Sequence, residues 1–102
     1  MIELLRTIAS PEKQLAFQES VPAANVADEL VCMWFDDFHP ASDLFVEAFS
    51  GKEIAPMEWF TRVFDKYVSS LPDNLEDMLK SPEWELVMRQ ARLTLQANGW
   101  AE

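Results

Sequence analysis

Two glycines, Gly51 and Gly99, serve a chain of 102 residues. Tight β-hairpins draw on glycine for backbone with positive φ, so a sequence this poor in glycine is not built from hairpins. Cysteine occurs once, as Cys32. That excludes an internal disulfide and fits a reducing compartment such as the cytoplasm. Histidine also occurs once, as His39, which leaves no second imidazole or thiolate to complete a zinc set. Long apolar runs are missing. The longest, Leu30 to Phe35, has six residues, against roughly 20 needed to span a bilayer. The opening segment, Met1 to Arg6, has no basic leader followed by a long apolar stretch, so no signal peptide is expected. Bases are scarce too: eight Lys and Arg face 18 Asp and Glu, for a net charge of -10. Such a field repels nucleic acid and anionic membrane surfaces and attracts basic proteins. No glycine-rich phosphate loop, nucleophile elbow or paired metal motif is present, and an enzyme is not expected.

What is present is apolar and aromatic. Hydrophobic residues make up 49% and aromatics 12% of the chain, enough to fill one core in a single domain spanning residues 1–102. Prolines and their neighbours punctuate it. Ser10-Pro11 and Ser81-Pro82 read as N-cap and first helical position, because serine accepts an orphan backbone N–H and proline has none to leave unpaired. The spacing predicts helices over about 2–8, over 11–20 with Leu15, Ala16 and Phe17 inward, and from Asn25 through the Leu30–Phe35 run. A run of six apolar residues also suits a buried strand, but no second alternating run exists to pair with it. Further helices are expected over 41–49, with Leu44, Phe45, Ala48 and Phe49 together, and up to about 70 after the Ser50–Glu53 capping-box pattern. Pro56 is expected to set the start of that long helix, because an interior proline costs around 3 kcal/mol. A brief helix opening at Pro72 and a last one opening at Ser81-Pro82 complete the series. Trp84, Val87, Met88, Ala91 and Leu95 make the apolar stripe of the last helix, and Asn98-Gly99 closes it. The fold class is all-α, a compact bundle of about five or six short helices.

Charge and rings concentrate in the middle third. Residues 25–60 hold eight acids and one base, net -7. Asp36 and Asp37 stand at the C-terminal end of a proposed helix, where negative charge is unfavourable by roughly 0.3–1 kcal/mol each. A local rule broken without local gain often marks function; otherwise one of the pair caps the next turn and His39 offsets the other. Cys32, Asp36, Asp37 and His39 mix soft and hard ligand types, an unsuitable metal set. Within the apolar run Cys32 reads as a buried structural thiol. Trp34 and Phe35 are neighbours, as are Trp59 and Phe60, and neighbours on a helix point about 100° apart. Either one ring of each pair is shared with solvent among the carboxylates, or a wide apolar face takes up both.

The stretch Glu29-Leu-Val-Cys-Met-Trp-Phe-Asp-Asp-Phe-His-Pro40, followed by Phe45, Phe49-Ser50, Glu53, Phe60 and Phe64, resembles small bacterial immunity proteins of contact-dependent growth inhibition and related polymorphic toxin systems. The resemblance covers roughly residues 28–70 and includes no catalytic motif. It implies a cytoplasmic protein that binds a toxin, often a nuclease, and blocks its active site or substrate groove. A nuclease groove is basic because it neutralises phosphates, and fixed carboxylates compete for it and steer encounter. The expected partner-binding residues are Asp36, Asp37, Asp43 and Glu47 for charge, with Trp34, Phe38 and Trp59 as anchors. No cofactor or metal is expected. The alternatives are a small metal-dependent hydrolase using Asp36, Asp37 and His39, or a homo-oligomer subunit whose exposed aromatics meet a copy of itself.

Overall fold

Serine and asparagine side chains start six of the seven helices. In the computed structural model, which describes residues 1–101, α1 spans Ile2–Ala9, α2 Pro11–Ser20, α3 Val26–Asp37, α4 Asp43–Ala48, α5 Gly51–Tyr67, α6 Leu75–Met78 and α7 Pro82–Ala97. A 3-10 turn over Val68–Ser70 extends α5. No strand is present among the described residues. The Leu30–Phe35 run is therefore helical, and the bundle has one or two more helices than the proline spacing suggests. Ser10, Asn25, Ser42, Ser50, Asn74 and Ser81 each accept the backbone N–H three residues on, satisfying one of the donors that a helix start leaves unpaired. Asn74, not Pro72, opens α6.

Helix α7 is the central strut, packed between α1 and α5. Both neighbours run antiparallel to it. Arg6 Nε and Nη2 donate to the Trp100 carbonyl at 3.0 and 2.9 Å, while Arg92 Nη1 donates to the Ala9 carbonyl at 3.3 Å. On the other flank Asn98 Nδ2 donates to the Glu53 carbonyl at 3.0 Å and Thr94 Oγ1 to that of Pro56 at 3.3 Å. The expected stripe Trp84, Val87, Met88, Ala91 and Leu95 is buried, joined by Thr94. Gly99, at φ 71°, lets the chain reverse so that Trp100 N–H bonds to the Leu95 carbonyl at 2.8 Å, the left-handed ending that Asn98-Gly99 announces.

Helix α3 closes the core from the other side. Its Trp34 meets Phe60 of α5 edge-on at 4.8 Å and stacks on Phe38 at 5.3 Å. Phe60 continues to Phe64 at 5.6 Å and Phe64 to Trp84 at 5.8 Å. Ring pairs at such separations contribute about 0.5–1.5 kcal/mol beyond their buried area. The Trp34 indole N–H donates to Thr61 Oγ1 at 2.9 Å, so the buried ring leaves no polar atom unpaired.

Three sequence expectations are corrected here. In α2 the buried residue is Gln14, whereas Leu15 and Ala16 are exposed and Phe17 is half-buried. Gln14 Nε2 donates to the Thr7 and Ile8 carbonyls at 3.0 and 2.9 Å, and its Oε1 accepts from Trp84 Nε1 at 3.1 Å. It thereby covers carbonyls that the end of α1 leaves open. Pro56 lies inside an unbroken α5 instead of starting it. Its ring removes one hydrogen bond, to the carbonyl of the exposed Lys52 in the first turn, while the bonds from Thr94 and Asn98 hold the adjacent carbonyls against α7. Within α4 only Phe45 is buried; Leu44 is 81% exposed and Ala48 is also exposed.

Candidate functional site

The C-terminal end of α3 and the short α4 carry most of the expected binding residues. One wheel turn of α3 sends Val26, Leu30 and Trp34 into the core. The opposite side, Glu29, Cys32 and Asp36 at i, i+3 and i+7, faces outward. The lone cysteine is therefore exposed on an acidic stripe, not buried as its apolar neighbours suggest. A six-residue apolar run turns through well over a full circle of a helix, so at least one member must point away from the core.

Asp36 and Asp37 are both exposed but about 100° apart. The helix ends there, and the His39 ring donates from Nε2 to the Asp36 carbonyl at 2.6 Å. His39 thus caps the backbone at the carbonyl end of α3 and leaves both carboxylates untouched. His39-Pro40 and a turn lead to Ser42, which caps α4 through the Phe45 N–H at 3.3 Å. Asp43 and Glu47, four residues apart, share the outer side of α4 and are exposed. Phe45 anchors α4 by meeting Phe38 edge-on at 5.3 Å, and Phe49 packs on Trp100 at 5.5 Å. The ring contact between Phe38 and Phe45 ties α4 to the end of α3.

Apart from Glu58, which is exposed on α5, the carboxylates of residues 25–60 divide into two groups. Glu53 is consumed by the capping box, its side chain accepting the Ser50 N–H at 2.8 Å. Asp28, Glu29 and Asp43 lie in first turns, where they complement the helix dipole. Asp36, Asp37 and Glu47 have no such role. Among the described residues they pair with no Lys or Arg; the ion pairs are Glu3–Arg6, Glu76–Lys80 and Glu85–Arg92.

The aromatic anchors separate likewise. Trp34 has no exposed surface and is removed from the candidate set. Phe38 is half-buried between Trp34 and Phe45. Trp59 is 56% exposed, with Phe60 beside it fully buried, so that pair does divide between solvent and core. Trp59 belongs to α5, a different element from those that carry Asp36, Asp37, Asp43 and Glu47. Leu44 and Val46, which flank Asp43 and Glu47, are the exposed apolar residues of the acidic region. A wheel drawn over so short a helix, with Phe45 inward, puts both in solvent, and that signal was available in the sequence.

Among the described residues, no three side chains of His, Cys, Asp or Glu converge closely enough to hold a metal ion. Asp36, Asp37 and His39 therefore do not form the cluster that the hydrolase alternative requires. No described helix is long and apolar enough to cross a membrane.

Fold and site together define an all-α helical bundle with an acidic, partly apolar outer edge formed by α3 and α4. Comparison with known proteins adds no relative: no family model, curated protein or solved structure matches the chain.

Proposed function

We propose that this chain is a non-enzymatic binding protein whose α3–α4 edge occludes a basic protein, in the manner of an immunity protein bound to its toxin. The observation that carries this reading is the set of exposed carboxylates without a cationic partner, Asp36, Asp37 and Glu47, with Asp43 beside them. Holding two acids at the carbonyl end of a helix costs stability, and among the described residues no Lys or Arg pairs with them. A cationic partner offsets the charge. Exposed Leu44 and Val46 add the apolar contact that a charged patch alone lacks. The net charge of -10 extends the field beyond the contact and raises the encounter rate.

The reading is tested by isolating the partner from the native host on the immobilised protein at low and high salt, then measuring association with Asp36→Asn/Asp37→Asn. Removing two steering charges is expected to lower the association rate severalfold and flatten its salt dependence, with melting unchanged or slightly improved. Association kinetics identical to those of the unaltered protein reject the site.

A further inference from the structure

The other long surface of the bundle has the opposite character. Where α5 and α7 lie side by side they leave a groove of about 320 Å³ lined by Val63, Lys66, Tyr67, Leu86, Arg89 and Leu93 together with Gln90. Leu86 and Leu93 are exposed by 42% and 47% although α7 has a full apolar stripe facing inward. One turn along α5, Trp59 and Arg62 continue the same face, at i-7 and i-4 from Lys66. Of the three acids of α5, Glu58 and Asp65 fall on the side turned away from α7 and Glu53 is held in the capping box, while Glu85 of α7 is drawn to Arg92. Arg62, Lys66 and Arg89 make no ion pair with the described residues; Lys66 lies over the Tyr67 ring at 5.2 Å. Of the eight bases, Lys66 and Arg89 thus line this apolar groove without an ion pair among the described residues, and Arg62 lies one turn away.

The chain itself carries groups of complementary charge and polarity. Helix α4 projects Leu44 and Val46 as apolar points on either side of Asp43 and Glu47. Phe45 and the following Phe49 face inward while Asp43, Leu44, Val46 and Glu47 are exposed, so the outer side of α4 is open to a partner. We propose that the α5–α7 groove receives α4 of a second copy of this chain, in a head-to-tail contact with Leu44 against Leu86 and Leu93, and Asp43 and Glu47 against Lys66 and Arg89. The two patches differ, so the contact is heterologous. A six-residue helix covers less than the roughly 800 Å² per partner of a stable complex. The association is therefore weak. Repulsion between two chains of charge -10 is screened over about 8 Å at physiological salt, whereas the contact charges meet within that distance. This contact is independent of the proposed basic partner, although both would use α4 and therefore compete.

Sedimentation of the full chain from 0.05 to about 1 mM at physiological salt tests it, with a monomer of 11.7 kDa as reference. The weight-average mass is expected to rise by half or more over that range. Leu44→Ser/Glu47→Gln removes the projecting side and Arg89→Gln/Leu93→Ser the receiving side; all four residues are exposed, and circular dichroism verifies that both variants keep their helix content. Each variant alone is expected to stay monomeric, while an equimolar mixture associates, because one retains the groove and the other retains α4. A wild-type protein that is monomeric throughout overturns the proposal. So does association of either variant alone, or a mixture that stays monomeric. Loss of partner capture by Asp36→Asn/Asp37→Asn is a separate result, so the two readings fail independently.

Discussion

Replacing Gln14 with methionine keeps most of the side-chain volume and deletes three hydrogen bonds from the interior. Gln14 has no exposed surface and joins three helices: it caps the Thr7 and Ile8 carbonyls of α1 from α2, and accepts from Trp84 of α7. After substitution the Thr7 carbonyl still accepts the Ser10 N–H at 3.2 Å. The Ile8 carbonyl and the Trp84 indole N–H lose the partner that Gln14 supplied. Each stranded buried group costs about 1–3 kcal/mol, and the added apolar burial returns about 1 kcal/mol. The expected loss is about 3 kcal/mol, a large fraction of the 5–15 kcal/mol typical of a small domain. At about 4 °C per kcal/mol for a chain near 100 residues, melting falls by about 12 °C. Urea unfolding with an unchanged slope checks that the native state, not its compactness, is affected. The cycle with Trp84→Phe isolates the bond between the two residues. The double variant is expected to be more stable than the sum of the single losses implies, by about 1–2 kcal/mol. A loss under about 1 kcal/mol, or strict additivity in the cycle, refutes the account of Gln14 as the polar pin of the core.

Pro56→Ala restores the N–H that bonds to the Lys52 carbonyl and is expected to stabilise the protein by about 1 kcal/mol. A lower urea midpoint would show instead that the proline is needed where it stands. Cys32 lies on the outer stripe of α3, so a thiol reagent should label it in the native protein at nearly the rate seen in denaturant. Cys32→Ser should leave melting within about 0.5 kcal/mol of the parent; slow labelling or a large loss would place the thiol inside.

The helix starts were legible because capping is local. Ser10, Asn25 and Ser81 each announce themselves within four residues, and Gly99 at the end of α7 does the same; the Ser50 capping box was visible too, but Pro56 hid that it starts the whole of α5. The inward stripe of α7 could also be read, because a strong 3.6-residue period leaves one solution. Helix α2 has no such period. Its inward position is chosen by the open carbonyls of α1 and by an indole 70 residues away, neither visible from the local pattern. Pro56 failed for a related reason: the rule against interior proline is local, and long-range bonds from Thr94 and Asn98 to the neighbouring carbonyls override it. At the candidate site, the exposure of Asp36, Asp37, Asp43 and Glu47 was legible from charge alone. The burial of Trp34 was not, because it depends on the Thr61 hydroxyl that receives its N–H and on the Phe60 ring across the core. Leu86 and Leu93 read as surface leucines of a long helix, and only the alignment of α5 beside them turns them into the wall of a groove.

The first helix is packed against the last. Leu5 and Ile8 have no water-facing surface in the finished molecule, and the guanidinium of Arg6 grips a carbonyl 94 positions downstream. During translation at about 5–20 residues per second, the leading segment waits roughly 4–20 s before its partner has even been synthesised. Throughout that interval it is a greasy peptide in search of company. In that interval only α2 and α3, which also touch α1 in the finished molecule, are on hand to cover it. Truncations that stop short of residue 82 should accordingly aggregate, whatever the quality of the segments they retain.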